Sequence, residues 1–118
     1  MAEPIRDSSA LQKQLSEFQD VQRQLQMISA QRQQMLLQLE EVKMAEEEIS
    51  KSDKGIYRSI GPLLVESRKS DANADLKERK ELFEMRLSVL DKQEAKLKPR
   101  FTELRDALEK ALSQAKAK

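Results

Sequence analysis

The sequence predicts a mainly α fold: a long antiparallel two-helix coiled coil with a short β-hairpin at its bend. Three observations lead there. Apolar residues recur every seven positions over two long stretches, which is the spacing of a helix that buries one seam. Both glycines and one of the three prolines fall together between those stretches. The chain has 118 residues, of which 38% are hydrophobic and 36% charged, too polar for a thick core and well matched to a thin one.

The first stretch runs from Ser9 to Lys51. One row is Leu11, Phe18, Leu25, Arg32, Leu39 and Glu46; the other is Gln14, Val21, Ile28, Met35, Val42 and Ile49. No glycine or proline interrupts it, and at 1.5 Å per residue it would span about 65 Å. Ser9 followed by Gln12 predicts a capping box at its start.

The helical pattern breaks over Ser52 to Ser70. Within residues 55–67, Ile56 to Ile60 and Leu63 to Val65 are rich in β-branched and aromatic side chains and flank Gly61-Pro62, which reads as a hairpin. Alternation puts Ile56, Arg58 and Ile60 on one face, with Tyr57 and Ser59 on the other. Two short strands are marginal alone in water, so the hairpin calls for partner strands.

The heptad returns from about Asp71 to Ala115. Its rows are Leu76, Phe83, Leu90, Leu97, Leu104, Ala111 and Lys80, Leu87, Glu94, Phe101, Leu108, Ala115. Pro99 lies inside and predicts a kink between Ala95 and Pro99. Matching the rows antiparallel pairs Val42 with Phe83, Leu39 with Leu87, Met35 with Leu90, Ile28 with Leu97, Leu25 with Phe101, Val21 with Leu104 and Phe18 with Leu108. This register sets Arg32 against Glu94 and Glu46 against Lys80, whereas a slip of one heptad would place Arg32 against Phe101 or Leu87.

Composition also excludes functions. With no Cys and no His there is no thiol nucleophile, imidazole base or usual zinc set, and no enzyme activity or cofactor is expected. Glu46, Glu47 and Glu48 point about 100° apart on a helix and do not converge on a metal. Net charge is +1, and Lys92, Lys96, Lys98, Arg100 and the Lys116/Lys118 tail alternate with Asp91, Glu94 and Glu103, so nucleic-acid binding is not expected. No long apolar run suggests a signal sequence or a membrane span, and a cytoplasmic location is expected. A structural coiled-coil adaptor with fixed partners fits the same pattern.

Ile56-Tyr57-Arg58-Ser59-Ile60-Gly61-Pro62-Leu63-Leu64-Val65, with Leu39-Glu40-Glu41-Val42 before it and Lys77-Glu78-Arg79-Lys80-Glu81-Leu82 after it, resembles the prefoldin family in its archaeal beta-subunit form. The resemblance covers nearly the whole chain; Pro99 departs from the uninterrupted second helix expected of the family. It implies a hexamer of two alpha and four beta subunits whose hairpins form β-barrels, and an ATP-independent holdase that takes unfolded proteins at the coiled-coil tips and passes them to a group II chaperonin. Ile56, Tyr57, Ile60, Leu63, Leu64 and Val65 are then the assembly residues. Leu11 facing Ala115 and Gln14 facing Ala111 would leave a thinly packed tip, where Ile5, Leu11, Leu15, Leu108 and Leu112 are the candidate client contacts.

Overall fold

The computed structural model describes Ile5 and residues 7–116. Its elements are α1 (Ser8–Lys51), β1 (Ile56–Ile60), β2 (Leu63–Ser67) and α2 (Lys69–Lys116), so a short antiparallel hairpin lies between two long helices. The side chain of Lys116 and the terminal Lys118, both part of the basic tail, lie outside what is described.

Helix α1 is capped two residues earlier than the sequence pattern predicts. Asp7, not Ser9, accepts from the Ala10 backbone N–H at 2.8 Å through Oδ1, and its carbonyl accepts from the Leu11 N–H at 3.0 Å. An ionised carboxylate is a stronger acceptor than a hydroxyl and also favours the positive end of the helix dipole, which draws the start back to Ser8. Helix α2 likewise begins at Lys69, where the Arg68 carbonyl accepts from the Ala72 N–H. It continues through Pro99 as one helix.

The hairpin register pairs Ile56 with Ser67, Arg58 with Val65 and Ile60 with Leu63. Its two-residue loop is Gly61-Pro62, and Gly61 has φ +57°. Proline cannot take positive φ, so the sign change falls on the first loop residue, as in a type II′ turn whose twist suits a hairpin.

The chain divides into two compact units, residues 32–88 and the remainder. In the unit formed by the two chain ends, Gln14, Val21, Ile28, Leu90 and Leu104 are buried. In the unit that contains the hairpin, Leu39, Val42 and Ala72 are. Burial follows the two heptad rows closely: every other row position is at least half-buried except Leu11, Arg32 and Ala115.

The rows are right, but one contact among the chain ends is not the one expected. Phe101 stacks on Phe18, with ring centroids 4.9 Å apart and planes inclined by 22°, where the sequence pattern set Leu25 against it. Phe18 is one heptad before Leu25, so the contact that Phe101 makes is not the one the row pairing gave it. Ile28 and Leu97, an expected pair of this unit, line one groove together. Glu46 and Lys80 do approach each other, at 4.0 Å.

Candidate functional site

At the chain ends, three groups fix the helix pair beneath the tip. Glu17 directly precedes Phe18 and Arg100 directly precedes Phe101, so the ring contact sets the two flanking charges side by side. Arg100 donates to both carboxylate oxygens of Glu17, at 2.7 and 2.8 Å, and to Glu103 at 3.4 Å. This hydrogen bonding, foremost, holds the Glu17 carboxyl below its usual value and raises the Arg100 guanidinium. Leu104, one turn beyond Arg100, is 0% exposed.

Nearer the chain ends, Gln14 and Leu104 are buried, and Leu108 and Ala111 are half-buried. Towards its end α2 is exposed over a turn, residues 112–115. Leu112 on that turn is 59% exposed, Leu11 and Leu15 are exposed less strongly, and Ile5 and Leu108 are half-buried. Of the five tip residues anticipated, three present apolar surface to solvent. The Glu17–Arg100 clamp was missed because Arg100 reads as one more charge on a solvated face. Its signal was the opposite signs of the two residues that immediately precede the two phenylalanines.

In the other unit, the hairpin is tethered by a charge that the alternation pattern had only assigned to a face. Arg58 on β1 donates to Asp75 on α2. Lys69 donates to the Ser52 carbonyl at 3.1 Å, closing the base of the segment. Ile56 and Arg58 are half-buried against a cleft whose helical walls include Ala45, Ile49, Ala72 and Leu76. Ile60, expected on the same face, also lines this cleft and is exposed together with its partner Leu63. Tyr57 and Leu64 lie exposed on the opposite face, Leu64 by 74%, and Val65 is exposed as well. The sheet has two strands, so each has an outer edge that pairs with nothing among the described residues. An apolar sheet with two open edges is a surface built for strand partners.

Comparison with known proteins bears directly on this arrangement. The family model for "Prefoldin subunit" matches residues 12–115. The chain belongs to the prefoldin subunit family. The prefoldin subunit beta of Methanococcoides burtonii is 39% identical over 104 residues, covering 86% of this chain and 89% of that protein. The one from Thermococcus onnurineus is also 39% identical, covering 86% and 90%. The crystal structure of the prefoldin beta subunit from Thermococcus strain KS-1 aligns with TM-score 0.78 and 35% identity over 95% of this chain and 97% of that one. Prefoldin subunits are chaperone subunits, and the helix–hairpin–helix order of this chain is theirs. No helix among the described residues is long and apolar enough to cross a membrane.

Proposed function

We propose that this chain is the beta-type subunit of an ATP-independent holdase that works in the cytoplasm. The observation that carries the reading is the hairpin: Tyr57, Ile60, Leu63, Leu64 and Val65 stand exposed on a two-stranded sheet with open edges. Such a sheet is satisfied by pairing with hairpins of other subunits, which leaves the helix ends free for another task. Four copies with two alpha subunits close the assembly through joined hairpins. Unfolded clients bind to Leu11, Leu15 and Leu112 at the tips, with Ile5 and Leu108 as flanking contacts. Each contact is weak and several tips together raise avidity. The held client then passes to a group II chaperonin.

The test is reconstitution of the full chain with a prefoldin alpha subunit. Mass measurement should give a hexamer, and the hexamer should suppress aggregation of several unrelated denatured proteins without nucleotide. The double variant I60K/L64K should keep its helix content and lose the assembly. The variant L11S/L15S/L112S should assemble and lose protection. A hexamer that protects one fixed partner and no others is an adaptor, and the holdase reading then fails.

A further inference from the structure

The heptad row that faces directly away from the seam is polar or small for most of its length on both helices. On α1 it runs Ser16, Arg23, Ala30, then Leu37 and Met44, then Lys51. On α2 it runs Asp71, Glu78, then Met85, then Lys92, Pro99 and Asp106. The large apolar residues of both rows fall within residues 32–88, the unit that holds the hairpin. Leu37 is 61% exposed, Met44 58% and Met85 60%, and Leu82, one turn before Met85, is exposed beside it. A single exposed apolar side chain needs no explanation; its recurrence on the outer face of both helices of one unit, and nowhere else on those rows, does.

We infer that these two outer faces are subunit contacts, each covered by a helix of a neighbouring subunit joined to this one strand to strand; the inference rests on the reading of the hairpin as the strand-pairing surface. The dimensions argue for that occupant. Strands in a sheet lie about 4.8 Å apart, so a two-stranded hairpin takes up about 10 Å of a shared sheet. It is carried by two helices, and each helix with its side chains is itself about 10 Å across. Hairpins joined edge to edge therefore bring the outer helices of adjacent subunits to about 8–10 Å, the distance at which helices pack. The sheet is open at both edges, and each helix carries one apolar outer face. A charged partner finds no counter-charge in Leu37, Met44, Leu82 and Met85, whereas an apolar helix face is buried against them, and methionine adapts to a partner that is not its own copy.

The test uses the full chain assembled with a prefoldin alpha subunit. M44K/M85K changes one residue on each outer face. Both side chains stand in solvent, so the unassembled variant should keep the wild-type helix content and thermal midpoint. Its assembly should fall apart on dilution at a roughly tenfold higher concentration than the wild type, read by sedimentation, because an ammonium group resists burial against a neighbour. A photo-crosslinking residue at Met85 should capture a neighbouring subunit, of either kind, in the assembly and nothing in the chain alone. Wild-type dissociation of M44K/M85K overturns the inference, as does the absence of subunit capture at Met85. Loss of client protection in M44K/M85K with assembly strength unchanged gives these faces to clients and also overturns it. In each case I60K/L64K decides the other reading: if that variant fails to assemble, the hairpin remains the strand-pairing surface, and if it assembles, both readings fall.

Discussion

Glu17, Phe18, Arg100 and Phe101 form a four-residue lock in which each pair depends on the other. The rings meet because the helices are in one register, and that register brings a carboxylate within reach of both arms of a guanidinium. Both ionic side chains are more than a third exposed, so solvent screening keeps the pair's contribution small. E17Q should therefore lower stability by about 0.5 kcal/mol at neutral pH, read by thermal unfolding. The pH dependence has a definite sign. A carboxyl held below 4.5 in the folded chain contributes fully above about pH 4.5, and the contribution is lost as pH falls through the lower folded value. E17Q should remove that acid limb; an unchanged acid profile would mean that the clamp does not form in solution. Leu104 is the opposite case, apolar and fully buried. L104A should cost about 3 kcal/mol through lost burial and the cavity left behind, measured by denaturant titration.

At the scale of elements, the decisive fact about the helices is their register. The chain has no native cysteine, so an engineered pair reports it directly. F18C/F101C should form a disulfide under mild oxidation, because the two side chains already meet; L25C/F101C should not. Rapid closure of the second pair and failure of the first would restore the register that the heptads alone suggest. The hairpin depends on Gly61 for its turn. At φ +57° a side chain is strained even though the space around it is open, so G61V should loosen the hairpin by about 1 kcal/mol or more and weaken assembly before it affects the helices. Circular dichroism and sedimentation together separate those two effects.

At the scale of the whole molecule, family membership and the open-edged hairpin agree on a subunit whose stability and function are completed by partners. Removing the Arg58–Asp75 tether with D75N should leave an assembly-competent sheet that is less firmly held to α2. Hexamers should still form, with a lower thermal midpoint for dissociation; complete loss of assembly would assign Asp75 a role in the subunit interface itself.

The sequence by itself determined both helices, the hairpin and its loop, and the two rows of residues that face inward. Each of these is a local property, set by periodicity, turn chemistry and the positions of Gly61 and Pro62. It also determined the family, because the run from Ile56 to Val65 is specific in a way that heptads are not. Only the tertiary structure decided which heptad of α1 faces which heptad of α2 near the chain ends. A seven-residue repeat, even with its polar interruptions, narrows the register without fixing which side chain meets which across the seam. The choice falls to contacts between residues 83 positions apart in sequence, the Glu17–Arg100 clamp and the phenylalanine stack beside it. The tertiary structure also decided where apolar surface is left over near the chain ends: Leu11, Leu15 and Leu112 are exposed while Leu108 is half-buried.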